Sequence, residues 1–237
     1  MKGPKDGIIK ASFSGCPVSD RSLFPDSHGM LLISVGQLYH ENEKMLATFE
    51  LIGRKFKHYT IMLADTLQRH NIKASMGITE EEAYQISKNS GDKWIEKYEV
   101  KANKYKNYLG IQRWDTYLNH PSFEIKKQII EKAIQGDNSK LKTAIQYSVD
   151  EYILRGERAN LPKRQITFLR QNCESYLIEE CSIMLLLAEE NFNFDIYPTS
   201  RNAAMETVYN LFIKSEIRKV LAPVSLRFKR YAQSLVL

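Results

Sequence analysis

The chain has 237 residues, 43% of them hydrophobic and 26% charged, with a net charge of +6. This length and balance fit a single folded domain, residues 1–237, and exclude a disordered chain. No stretch approaches the ~18 uninterrupted apolar residues of a membrane helix, no apolar signal segment follows Met1-Lys2-Gly3-Pro4, and three cysteines give no even disulfide framework, so a reduced, cytoplasmic protein with no membrane contact is expected.

Residues 1–29 are rich in Gly and Pro and read as a loose arm, with Ile8–Phe13 a candidate short strand. Met30–Gly36 follows as an apolar run into Ser34, Val35 and Gly36, the pattern of a strand buried on both faces. A serine at the carboxyl end of such a strand stands where open α/β sheets bind ligands, and its hydroxyl is either a nucleophile or a hydrogen-bonded strand residue. Asn42–Lys57 has helical spacing through Met45, Phe49, Ile52 and Phe56, and Tyr59–Ala64 is a second apolar strand. Strand, helix and strand within about 35 residues make a βαβ unit with parallel strands. The segment Asp65–Gly77 reads as a crossover loop.

Thr79 with Glu82 three residues on is a capping box, and it opens a helix running to about Leu109. Ile86, Trp94, Tyr98, Ala102, Tyr105 and Leu109 form its apolar stripe. Lys93, Lys97, Lys101 and Lys104 form a basic one, and Lys88 is a further lysine on the same helix. That second stripe is either a solvated face or a ridge for phosphates, to which lysine gives affinity without sequence readout. Ile111–Trp114 suggests a strand. Helices are expected from Ser122 to Gln135, from Asn138 to Leu154 and from Leu161 to about Glu190. Phe192–Tyr197 is a strand closed by Pro198. Asn202–Lys214 reads as a helix, and Lys219–Ala222 as a last short strand. The sum is an α/β fold: a Rossmann-like domain, mainly parallel sheet with helices on both faces.

There is no GxGxxG, no P-loop and no nucleophile elbow, since Leu32 stands where the elbow needs glycine. His28, His40, His58, His70 and His120 have no metal spacing, so no metal is expected. His40, six residues past Ser34, is either a base for that serine or, the commoner case, a surface histidine after the strand.

The run Leu32-Ile33-Ser34-Val35-Gly36-Gln37, then Asp65-Thr66, then Tyr176 and Glu180 four apart on a helix, then Tyr197-Pro198, resembles the signatures of the cyclodipeptide synthases, in order and over most of the chain. Gln37 and the Tyr197-Pro198 pair resemble the subfamily known by its Tyr-Pro pattern. The chain departs from other members in its spaced lysines, where they carry arginine clusters, and in Phe123, where one branch keeps a tyrosine. The resemblance implies a domain similar to the catalytic domains of class I tyrosyl- and tryptophanyl-tRNA synthetases. It implies an aminoacyltransferase that takes two aminoacyl-tRNAs and makes a cyclic dipeptide without a cofactor, because the ester is already activated. On that basis Ser34 is the nucleophile, and the turn through Gly36 and Gln37 holds the reacting carbonyl. Tyr176 and Glu180 bind the amino group, Tyr197 shuttles a proton, and Pro198, like Gly36 and Gln37, positions the substrate. Lys88, Lys93, Lys97, Lys101 and Lys104 bind tRNA. Met30, Met62 and Ile183 are candidates to line a side-chain pocket suited to apolar amino acids, and a monomer is expected. The alternative is a non-catalytic RNA- or ligand-binding Rossmann-like domain, in which Ser34 carries no chemistry.

Overall fold

The apolar run ahead of Ser34 forms β2 (His28–Ser34), a central strand of the sheet in the computed structural model, which describes residues 7–136, 139–155, 158 and 160–232. Its side chains alternate between two cores. Met30 and Leu32 face a cluster built largely from helices in the second half of the chain. Leu31 and Ile33, both fully buried, face the opposite cluster with Phe49, Ile52 and Trp94. Each such aliphatic side chain contributes about 1.5–3 kcal/mol on burial. The expected βαβ unit is present: α2 (Asn42–Lys55) carries the chain from β2 to β3 (His58–Ala64), and the two strands pair in parallel from His28↔His58 to Ser34↔Ala64.

Before β2 the chain forms β1 (Gly7–Ser14) and a short α1 (Val18–Arg21). After β3 come α3 (Arg69–Met76), α4 (Glu80–Ala102), β4 (Tyr108–Arg113), α5 (Trp114–Leu118), α6 (Phe123–Ile134), α7 (Lys140–Ile153), α8 (Lys163–Leu187), β5 (Phe194–Tyr197), α9 (Ala203–Val208) and β6 (Ala222–Ala232). The six strands lie in the order β1-β6-β5-β2-β3-β4, parallel except for the outer β1–β6 pair.

Several expectations are corrected. The N-terminal arm is in part a strand: β1 pairs antiparallel with β6 from Gly7↔Ala232 to Ser14↔Ser225. The last strand is long and starts where the expected one ends. Its buried Val224 and Leu226 alternate with Ser225 and Arg227, so basic residues on the other face hide it from a search for apolar runs. The Asp65–Gly77 segment is not a loop but a helical turn followed by α3, closed by Gly77 at φ +66. The expected helix from Asn202 is α9 followed by a π-helical turn, Tyr209–Ile213. The expected start of α7, Asn138, lies outside the described residues, and Ser139 caps that helix through Lys142 N–H.

The capping box of α4 forms, with Glu82 N–H on Thr79 Oγ1 at 3.3 Å and Thr79 N–H on Glu82 Oε2 at 2.9 Å. The helix stops at Ala102, short of Leu109, which is an exposed residue of β4. Its buried face is Ala83, Ser87, Gly91, Trp94, Tyr98 and Ala102, and Ile86 is exposed. Small residues let α4 lie close to the sheet: a Cβ at Gly91 would stand 2.2 Å from Asp65 Oδ2. Asp65 itself is buried and paired with Arg113, which also bonds Asp92.

Candidate active site

β2 and β5 are parallel neighbours, from Gly29↔Phe194 to Leu31↔Ile196, so their carboxyl ends reach the same edge of the sheet. That places Ser34 beside Tyr197, with Ser34 Oγ 3.1 Å from Tyr197 Oη. A third hydroxyl continues the chain: Tyr39 Oη lies 2.8 Å from Tyr197 Oη. After Ser34 the backbone turns at Gly36, whose φ of +86 is a conformation side chains other than glycine's rarely adopt. The Gln37 N–H donates to Ser34 O at 3.3 Å, so that donor is engaged, while the Gln37 side chain is exposed. Pro198, buried, ends β5 directly after Tyr197.

α8 carries Tyr176 and Glu180 one turn apart. Glu180 is buried, and its Oε2 accepts from Asn202 Nδ2 at 3.1 Å. Asn202 is held by its other end, its Oδ1 accepting the Met205 N–H at 2.9 Å as the cap of α9. Burial pushes the Glu180 carboxyl up to about 7. The Asn202 hydrogen bond works against that shift and nearby Asp195 with it. Beneath lies the buried Asp195–Arg201 ion pair, at 2.7 Å. Burial raises the phenols of Tyr176 and Tyr197 far above the usual tyrosine value, so both stay protonated and act as neutral hydroxyls.

Ser34, Gln37, Tyr39, Tyr176, Tyr197 and Asn202 are among the residues lining a cavity of about 220 Å³, and Glu180 stands behind that lining, bonded to Asn202. A larger surface groove of about 580 Å³, between β1, α2 and α4, includes none of them. The expected pocket residues Met30, Met62 and Ile183 are instead sealed in the core, since the strand and helix faces that carry them pack against each other. Glu179, beside Glu180 in sequence, points elsewhere and accepts hydrogen bonds from Arg69, His70 and Trp114.

His40 is corrected most. It is 1% exposed, not a surface residue. The turn after Gly36 folds it back, and its Nδ1 lies 2.9 Å from Ser34 N and 3.1 Å from Ser34 O. It faces the serine's backbone, not its hydroxyl. Tyr39, His40 and Asn202 were not among the expected site residues. Their only sequence signal is nearness, five and six residues past Ser34 and five past Tyr197.

Lys88, Lys93, Lys97 and Lys101 lie along α4, whereas Lys104, expected on the same helix, falls in the turn beyond its end at Ala102. Lys93, Lys97 and Lys104 are exposed, and Lys88 and Lys101 are half-buried. Lys97 pairs with Glu41 at 2.7 Å, and the ammonium groups of Lys97 and Lys101 stand 4.9 Å from the Tyr98 ring. Among the described residues, no group of three or more His, Cys, Asp or Glu is arranged to hold a metal ion, and no helix is long and apolar enough to cross a membrane.

No protein-family model matches the chain, and no curated protein sequence does. Solved structures do. A cyclodipeptide synthase of Fluoribacter dumoffii is 36% identical, covers 95% of this chain and 100% of its own, and superposes with a TM-score of 0.88. This chain belongs to the cyclodipeptide synthases. The membership makes it an enzyme that forms peptide bonds and sets aside a non-catalytic domain. More distant cyclodipeptide synthases share the fold. That of Candidatus Glomeribacter gigasporarum, bound to Phe-tRNAPhe, is 15% identical over 88% of this chain and 91% of its own, with a TM-score of 0.67. The Mycobacterium tuberculosis protein is 11% identical over 98% and 99%, with a TM-score of 0.64, and its structure relates cyclodipeptide synthetases to type I tRNA synthetases.

Proposed function

We propose that this cyclodipeptide synthase uses two aminoacyl-tRNAs in a ping-pong reaction through aminoacyl and dipeptidyl esters of Ser34, and that it belongs to the Tyr-Pro subfamily. The observation that carries the reading is the hydroxyl chain Ser34–Tyr197–Tyr39 on the lining of a cavity, together with the buried Glu180 carboxyl bonded to another lining residue, Asn202. The tRNA-bound state of the Candidatus Glomeribacter gigasporarum enzyme supports the substrate class.

Ser34 Oγ attacks the carbonyl carbon of the first ester. Its proton passes to Tyr197 Oη while Tyr197 gives up its own, and the leaving ribose oxygen takes a proton as tRNA departs. No tyrosinate is needed, which suits phenols with raised pKa values. N–H groups of the Val35–Gly36 turn and the side-chain amide of Gln37 are the donors for the developing oxyanion. Glu180 as a carboxylate, with the Tyr176 hydroxyl, holds the ammonium of the aminoacyl ester. Transfer of one ammonium proton to Glu180 frees the amine, which attacks the ester carbonyl of the second aminoacyl-tRNA; the ribose–acyl bond breaks, the leaving ribose oxygen takes the amine's second proton, and tRNA departs to leave a dipeptidyl ester on Ser34. The new terminal amine then attacks that ester. The cyclic dipeptide leaves, and Tyr197 returns a proton to Ser34 Oγ.

The lysines of α4 supply a ridge for tRNA phosphates, contacts that position the substrate without reading it. Ser34→Ala decides the covalent reading. The variant, folded by circular dichroism, loses cyclic dipeptide by mass spectrometry and takes no label from aminoacyl-tRNA charged with a radioactive amino acid, whereas the wild type does. Product at the wild-type level from the variant overturns it.

A further inference from the structure

The hydroxyl chain from Ser34 explains where its proton goes but not what aims its oxygen. Ser34 is the last residue of β2, and the backbone turns away at once through Gly36. A nucleophile at a strand end needs a second hold, because a misplacement of about 1 Å costs a reaction on the order of 10²-fold.

His40 supplies that hold in geometry. One ring nitrogen, Nδ1, reaches both Ser34 N at 2.9 Å and Ser34 O at 3.1 Å. Burial keeps the imidazole neutral, its pKa pushed down to about 4. A neutral ring with Nδ1 bare accepts the Ser34 N–H, and the other tautomer donates to Ser34 O. The ring also stands edge-on to both tyrosines of the hydroxyl chain, its centroid 4.7 Å from Tyr39 and 5.4 Å from Tyr197. His40 is itself fixed from behind: its carbonyl accepts the Trp94 indole N–H at 3.1 Å. One turn further along α4, Tyr98 Oη accepts the Asn42 N–H at 2.6 Å and donates to Glu41 at 2.7 Å. The turn that carries His40 is thus bolted to a long helix.

His40 Nε2 is buried with no hydrogen-bond partner among the described residues, a cost that an apolar side chain would not carry. A leucine would fill the space without that penalty. What the imidazole adds at this place is the Nδ1 contact with the serine.

We propose that His40 is a positioning residue for the reaction: its Nδ1 clamps the Ser34 backbone and so directs Oγ along the Tyr197–Tyr39 hydroxyls. It touches neither the substrate nor the reacting oxygen. The inference rests on the covalent-serine reading, and it also ties the nucleophile to α4, the helix that bears the lysines, through Trp94.

The test is the single-turnover rate at which labelled aminoacyl groups transfer from aminoacyl-tRNA to the protein, beside the Kd for uncharged tRNA and the Tm. His40→Leu removes the clamp and lowers the transfer rate about 10²-fold, with tRNA binding within about twofold of wild type. His40→Asn places an amide near the Nδ1 position and recovers at least about tenfold of that loss. A purely structural histidine gives another pattern, in which the rate falls only as Tm and tRNA binding fall. Transfer at the wild-type rate in His40→Leu overturns the proposal. So does a stable His40→Asn that is as slow as His40→Leu. If His40→Leu does not fold, Trp94→Phe decides: it frees the His40 carbonyl while keeping an aromatic ring, so slower transfer with unchanged tRNA binding supports the clamp, and wild-type transfer overturns it. A wild type that never acquires label fails the covalent reading instead, before any His40 variant is measured.

Discussion

Replacing Glu180 by glutamine makes the protein more stable and less active at once, and the size of the first effect follows from the burial of the carboxyl. Its pKa is raised from the ordinary 4.5 to about 7, chiefly by burial. Below 4.5 the group is protonated in the folded and unfolded chains alike, and nothing is lost. Between 4.5 and 7 the unfolded chain releases its proton while the folded one keeps it, so stability falls as pH rises. Above 7 both are ionised and the penalty is constant. A separation of about 2.5 pH units at 1.36 kcal/mol each makes it about 3 kcal/mol. Glutamine pays no such penalty and its carbonyl still accepts from Asn202 Nδ2, which the α9 cap holds in place. Urea unfolding at pH 4.5 and pH 8 checks this: the variant is more stable than the wild type by about 3 kcal/mol at pH 8 and nearly equal to it at pH 4.5. Synthesis falls by about 10² or more, because the variant cannot take the ammonium proton. Wild-type synthesis rises with pH through about 7 as Glu180 ionises. A stability difference that is the same at both pH values refutes the argument, since the penalty is tied to ionisation.

Glu179→Gln behaves in the opposite sense. It breaks a buried cluster with Arg69, His70 and Trp114 and destabilises the protein by about 3–5 kcal/mol, read as a lowered Tm, while the protein that stays folded keeps its rate of transfer to Ser34. Replacing Lys93, Lys97 and Lys101 together by Gln weakens every aminoacyl-tRNA by a similar factor and flattens the log–log salt slope of binding by roughly two to three units, nearer two because Lys97 is shared with Glu41. The amino acids incorporated do not change, and an unchanged slope moves the tRNA site to the basic face of β6, at Arg227 and Lys229.

The sequence by itself determined the elements whose cause is local. An apolar run long enough to be buried on both faces gave β2 and β3, and helical spacing gave α2 and α8. Thr79 and Glu82 placed the start of α4 because a cap is made by neighbours in the chain. The ordered residues Ser34, Tyr176, Glu180 and Tyr197 marked the proposed site, since such chemistry needs those groups wherever the fold brings them. What only the tertiary structure decided depends on contacts between distant segments. β6 alternates buried and basic residues and becomes a strand only by pairing with β5 and β1. α4 packs by Ala83, Ser87 and Gly91, and the smallness of Gly91 matters because Asp65 lies against it. Two adjacent glutamates look alike in sequence, yet one meets an arginine 110 residues away and the other a cap on α9. His40 has the polarity of a surface residue and is buried because Gly36 turns the chain back on Ser34 while Trp94, 54 residues on, closes over it. Polarity and periodicity report what a residue favours on average; which partner satisfies a buried polar group is set by segments that meet only when the sheet has formed.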